Sequence, residues 1–321
     1  KLIAINKIIY LKNISIRRVI SNFIFSLKIY HKLRKDIDEN TLLVIPSRPV
    51  ELIYFCSVLR RKYKNSVLVD IQDIWPDMLV NKGGFETYIF TKYCNFFLKN
   101  SLKYIDKYIH VAPSFKDWLK RYSPHSKSKF IPLGFDLERW GKIKQKVNID
   151  KNKIKFIVIA QLTFQFDIIP VLKVLKDDKK YELVLVGEDG NGERFDEVNK
   201  YVNKHNIRNF KSLGFLNSKD LKIEIANCDV GIVPMISTSI PNKVFDYIAN
   251  EKPIYVLGKN DCSDFVYNNK IGWYSEYSAK DIKRFLCTLN HHEIDSKRSN
   301  LLHIKNNFNK EKLFKEVQNI I

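Results

Sequence analysis

The chain has 321 residues, 45% hydrophobic and 13% aromatic, which allows two packed domains and excludes a disordered polypeptide. Its net charge of +20 is uneven, with 25 Lys and Arg against 12 Asp and Glu in residues 1–140. There is no run of about 18 apolar residues to predict a membrane span, and no secretory leader is legible.

The five cysteines form no C-x-x-C pair and no even set, so neither a zinc ribbon nor a disulfide scaffold is expected; they fit a reducing, cytoplasmic setting. A basic first half suits an anionic membrane surface or nucleic acid. Without a helix-turn-helix, zinc-finger or RNA-recognition signature, nucleic acid is not the expected partner, and a peripheral anionic membrane surface is.

In chain order, Ile16, Val19, Ile20, Phe23, Ile24, Leu27 and Tyr30 fall near helical spacing among basic residues. A helix over about 15–35 is expected, on a core or a membrane surface, with the core preferred. Strands follow at 41–46, 66–70, 107–111 and 129–133. Helices lie between them at 50–63, 85–103 and 114–122. The 88–99 segment is rich in Tyr, Phe and Lys, which suits core packing and also docking at an anionic leaflet.

Residues 134–140 and the polar run 142–153 read as a linker. The alternation then restarts, with strands near 154–160, 182–187, 209–214, 230–233, 253–258 and 271–274, and a last helix over 304–321. Strands alternating with helices mean parallel sheets. The expected fold is α/β, two Rossmann-like domains facing a cleft: 1–140, then 141–303, then the C-terminal helix 304–321. Ligands in such sheets bind at the carboxyl ends of the strands. The first domain shows four strands and opens on a helix, so it is expected to lack its N-terminal strand or to carry it unrecognised.

The stretch from Ser237 to Pro253 carries the most chemistry. Ser239 is placed to cap a helix, Pro241 suits the first helical position, and Val244, Phe245 and Ile248 give it an apolar face. Lys243 opposes the macrodipole in the first turn, so an anion is expected beside it. Free N–H groups around Pro241, Asn242, Lys243 and Val244 complete a phosphate site, and Asp246 and Tyr247 are placed to reach a ribose. The plain alternative is a capped helix with Lys243 in solvent.

The run Pro241-Asn242-Lys243-Val244-Phe245-Asp246-Tyr247-Ile248-Ala249, with Lys252-Pro253 behind it, resembles the donor-binding segment of GT-B glycosyltransferases of the family 4-like group. Three further pieces resemble that group in order: the strand ending Val186-Gly187, the strand end Leu213-Gly214-Phe215, and Asp229-Val230-Gly231-Ile232-Val233-Pro234. The resemblance implies that Lys243 and backbone at the helix start hold a diphosphate, Asp246 the ribose, and Leu213, Gly214 and Phe215 the base. Gly187 borders the same site. In the first domain, Asp70-Ile71-Gln72-Asp73-Ile74-Trp75-Pro76-Asp77 resembles the group's D-x-x-D loop, which implies that Asp73 faces the acceptor and is catalytic together with Lys243. As a residue on its own, Asp73 could equally begin a helix, and His110 reads as a strand-end residue.

The implied activity is that of a hexosyltransferase, retaining and metal-independent, needing no cofactor. It would move a sugar from a nucleotide diphosphate sugar, most simply UDP-linked, to a glycan or lipid-linked acceptor at the inner membrane face in surface polysaccharide synthesis. One departure matters. The loop Gln161–Asp167 has no cation where the family carries an Arg and a Lys, which moves the electrostatic load to Lys243. A non-catalytic partner subunit and a UDP-sugar 2-epimerase are the alternatives.

Overall fold

The computed structural model describes residues 5–6, 15–78, 84–140, 152–162, 166–176, 178–187 and 193–320. The chain divides into two compact units, 1–131 with 316–321, and 132–315.

The first unit runs α1 (Ile16–Leu33), β1 (Leu42–Pro46), α2 (Val50–Tyr63), β2 (Ser66–Ile71), α3 (Phe85–Ser101), β3 (Lys107–His110), α4 (Phe115–Lys120) and β4 (Ser128–Phe130). The four strands form one parallel sheet in the order β1-β2-β3-β4, with Leu42 opposite Ser66 and Leu68 opposite Lys107. Val67, Leu68, Val69 and Ile71 are wholly buried, the continuous apolar run expected of a parallel strand covered on both faces. A strand before α1 would fall mainly on residues 1–4 and 7–14, outside the described residues.

The core reading of α1 needs correction. Ser15 caps it by accepting from the Arg18 N–H, but its buried side is Arg18, Ser21, Asn22 and Ser26. Ile16 and Ile20 face outward instead, while the partly exposed Phe23 packs edge-on against Phe55 of α2. On this inward polar side the Arg18 guanidinium lies 4.5 Å from the centre of the Trp75 ring.

The second unit holds α5 (Leu137–Trp140), β5 (Ile154–Ile159), α6 (Ile169–Leu175), β6 (Tyr181–Val186), α7 (Glu193–Lys204), β7 (Phe210–Ser212), α8 (Ser218–Ala226), β8 (Val230–Pro234), α9 (Asn242–Ala249), β9 (Ile254–Leu257), α10 (Asp261–Asn268), β10 (Gly272–Ser275), α11 (Ala279–Thr288) and α12 (His291–Ile304). Its six strands are all parallel in the order β10-β9-β8-β5-β6-β7. Phe156, Val158, Leu185, Val230 and Ile232 belong to its core.

Two expectations fail here for one reason. The predicted helix 304–321 is broken: α12 ends at Ile304, a tight turn spans Lys305–Phe308, and α13 (Lys310–Gln318) follows. Phe135 causes the break. Its N–H donates to the Phe308 carbonyl at 2.9 Å, and its own carbonyl accepts from the Lys310 N–H at 3.0 Å. Residues 134–140 are therefore packed structure in the second unit rather than linker, with Phe135 and Trp140 buried.

Candidate functional site

In the second sheet β5 is followed in sequence by β6 and β7 on one side and by β8 to β10 on the other. The chain order reverses between β5 and β8, and the crevice beyond the carboxyl ends at such a switch point is where doubly wound sheets bind ligands. Three strand ends are drawn together there. The Ala160 N–H donates to the Val186 carbonyl at 3.0 Å, Gly187 to Gly214 at 2.8 Å, and Leu213 to Leu185 at 2.9 Å. Gly187 has φ +129°, and a Cβ on it would lie 2.1 Å from the Ala160 carbonyl oxygen, so only glycine permits this approach.

A cavity of about 540 Å³ opens at these ends. Five residues expected from sequence line it: Gly187, Phe215, Asn242, Lys243 and Asp246. Ala160 and Gln161, at the head of the loop expected beside the diphosphate, line it as well, and so do Leu216 and Leu221, which were not anticipated. Leu213 and Gly214 shape it through the backbone bonds just given. Phe215 stands 78% exposed at its border, an aromatic face open to stacking.

Helix α9 forms one wall. Its Val244, Phe245, Tyr247 and Ile248 are buried, so the apolar face expected of this helix anchors it to the sheet. The N-terminal details differ from expectation. Pro241 is extended (φ −73°, ψ 154°) and is itself the N-cap, with no side chain capping the helix, so Ser239 does not do so. The Val244 N–H is engaged by the Pro241 carbonyl at 3.0 Å. Among the described residues, the N–H groups of Asn242 and Lys243 have no acceptor, as the first turn of a helix leaves them. The Val244 side chain points into the core and only its backbone could serve the site.

Tyr247 is likewise corrected. Its hydroxyl accepts from the Ile159 N–H and donates to the Ile157 carbonyl, both at 3.0 Å. Gly231 makes room for the ring, since a Cβ there would sit 2.5 Å from it. Tyr247 braces β5 from behind and does not reach a ligand. Lys252 is also structural: its ammonium donates to the carbonyls of Ala226 at 2.9 Å and Cys228 at 2.6 Å, at the end of α8.

Lys243 is different. Among the described residues its ammonium has no ion pair within 4 Å; it lies 3.8 Å from the centre of the Phe166 ring. Burial pulls its pKa down to about 7, against the smaller upward pull of Cys262 and Asp246. Phe166 comes from the loop Gln161–Asp167, so the segment without a cation supplies an aromatic face to Lys243 at the helix start. The loop's far end is tied down by Asp167, which accepts from the Ile169 N–H at 3.0 Å and lies 3.6 Å from Arg194.

Burial raises the Asp246 carboxyl to about 6, while Arg139, a hydrogen bond from the Trp140 side chain, Lys243 and Lys310 oppose the rise. Arg139 and Trp140 went unnoticed because they sit in the supposed linker. One signal was present: Asp136 begins a helix there, accepting from the Glu138 N–H at 2.8 Å. Among the described residues, no group of three His, Cys, Asp or Glu side chains is placed to hold a metal.

Asp73 belongs to the first unit, beyond the carboxyl end of β2. It is ion-paired with Arg48, whose guanidinium also lies 5.2 Å from the Trp75 ring centre. Burial raises its pKa and Arg48 lowers it. A helical turn follows Asp73 directly, with the Met78 N–H donating to the Ile74 carbonyl at 3.2 Å, as the plainer reading of this residue expects. Asp77 pairs with Arg121, and the buried His110 has Nδ1 2.8 Å from the Ala112 carbonyl, the strand-end role expected of it.

The comparisons with known proteins bear on this geometry. The family described as glycosyl transferases group 1 matches residues 141–300. No curated protein sequence matches significantly. Among solved structures, the chain is similar to sucrose-phosphate synthase of Thermosynechococcus elongatus, with TM-score 0.72 and 15% identity over 92% of this chain and 77% of that one. It is similar to HepE of Anabaena in complex with UDP, with TM-score 0.73 and 11% identity over 92% of this chain and 81% of that one. It is also similar to WaaG, a glycosyltransferase involved in lipopolysaccharide biosynthesis, with TM-score 0.61 and 11% identity over 81% of this chain and 78% of that one. Sheet order, family match and structural likeness agree: the chain is a glycosyltransferase of the GT-B fold, and its residues 141–300 match the glycosyl transferases group 1.

Proposed function

We propose that this glycosyltransferase moves a hexose from a UDP-linked donor to a glycan or lipid-linked acceptor, in the building of surface polysaccharide at the inner membrane face. The observation that carries the donor half is the cavity at the switch point. It joins an exposed aromatic ring, a carboxylate and, among the described residues, two N–H groups without an acceptor and a lysine without an ion pair.

In this reading Lys243 and the N–H groups of Asn242 and Lys243 take the diphosphate. Asp246 accepts from the ribose hydroxyls, and Phe215 covers the base. Negative charge on the departing diphosphate is met by Lys243 and the helix dipole. The HepE structures with UDP and with UDP-glucose make uridine the first nucleotide to try. Asp73, with Arg48 beside it, is assigned to the acceptor hydroxyl. The family resemblance supports retention of configuration and metal independence, and WaaG's role supports the polysaccharide setting.

The test is incubation of the chain with UDP-glucose and UDP-N-acetylglucosamine, each with and without a lipid extract rich in isoprenoid-linked glycans. Sugar transfer into the lipid fraction that needs the extract is the expected result. Conversion of the sugar nucleotide alone would mean epimerisation, and UDP binding without any turnover would mean a non-catalytic subunit.

A further inference from the structure

Helix α3 is apolar on two opposite sides. Its inner side, with Phe90, Cys94, Phe97 and Leu98, is buried in the first unit. Its outer side presents Phe85, Tyr88, Ile89 and Phe96 at 77%, 59%, 51% and 60% exposure. Lys92 and Lys99 are exposed between and beyond them. At about 100° per residue, positions 85, 89, 92, 96 and 99 form one stripe along the helix, with 88 at its edge.

Four large apolar side chains aligned toward water on one short helix mark a surface that something covers. The lysines say what. A second copy of the chain would bring two rows of the same cations together, which like-charge repulsion disfavours. A lipid surface with anionic headgroups takes both parts of the stripe at once: rings and Ile89 enter the acyl boundary while the long lysine stems carry their charge to the headgroups. The acidic neighbour Glu86 lies about a quarter turn away from the line of the stripe. The charge excess of residues 1–140 has the same sign. Among the described residues no helix is long and apolar enough to cross a membrane, so α3 would lie on the surface rather than span it.

We propose that the outer stripe of α3, with Phe85, Ile89 and Phe96 as wedges and Lys92 and Lys99 as headgroup contacts, docks this protein on an anionic lipid surface. This takes up the membrane part of the function proposed above and names the element responsible. Its test needs no sugar transfer, so the two readings can fail separately.

The experiment is co-sedimentation of the full chain with vesicles of phosphatidylglycerol and phosphatidylcholine in equal parts, and with phosphatidylcholine alone. About tenfold or greater preference for the anionic vesicles, weakened by salt, is expected. The double variant Ile89→Asp, Phe96→Asp should lose at least about tenfold of that binding while keeping its unfolding temperature and UDP affinity. Lys92→Glu with Lys99→Glu, which leaves the apolar wedges in place, should abolish the anionic preference. Binding of either variant equal to the parent's overturns the proposal. So does a parent chain that ignores both vesicles, or one that self-associates in sedimentation analysis and is dispersed by the Ile89→Asp, Phe96→Asp change.

Discussion

Lys243 and Asp73 are both charges held near the carboxyl ends of parallel strands, yet the two units treat them oppositely. Asp73 has an ion pair from Arg48, which itself rests near Trp75. Lys243 has an aromatic ring and, among the described residues, no ion pair. A paired charge carries its own reason for being in place. A half-buried cation without a counter-charge costs stability, and it is retained where a ligand supplies the missing charge. The contrast makes Lys243 the stronger marker of a binding site, and it leaves the role of Asp73 to be decided by kinetics.

The largest effect expected is on turnover. If Asp73 orients or deprotonates the acceptor, Asp73→Asn lowers the transfer rate about hundredfold or more and leaves UDP affinity within about twofold. Steady-state kinetics beside a calorimetric titration separate the two. Matching losses in rate and affinity would make Asp73 a partner of Arg48 and nothing more, which erases the contrast with Lys243.

A smaller effect sharpens the Lys243 side. Burial holds its pKa near 7, so above that pH the free protein increasingly lacks the proton that a diphosphate needs. Binding then requires proton uptake, and UDP affinity should fall about tenfold per pH unit above pH 7 until the pKa of the bound form is reached. Titrations in buffers of different ionisation enthalpy should show uptake of up to one proton. A flat affinity between about pH 7 and 9 would place the lysine away from the phosphate.

Much of this was legible in residues alone, and the reasons are physical. The strands of the second unit are short apolar runs ending at turn residues, as in Tyr181–Val186 before Gly187, so their places are set locally. Five of the cavity's lining residues follow from the strand-end and helix-start motifs for the same reason. What escaped depends on distant contacts. Nothing near Phe166 announces that its ring will meet Lys243, and nothing near Asn309 announces that Phe135 will interrupt a helix there. Helix α1 was misread because apolar spacing gives a stripe without saying which side faces the sheet. That depends on distant partners, such as Trp75 against Arg18 and Phe55 against Phe23 and Tyr30.

The central claim is that Lys243 serves the diphosphate of a nucleotide donor. It is met most directly by calorimetric titration of UDP into the parent chain and into Lys243→Ala at pH 7. A cation facing phosphate in a partly dry site is worth about 1.5–3 kcal/mol, so the account predicts affinity weakened more than about tenfold, with the unfolding temperature of the unliganded variant kept or raised. Equal affinity in the two proteins would contradict it.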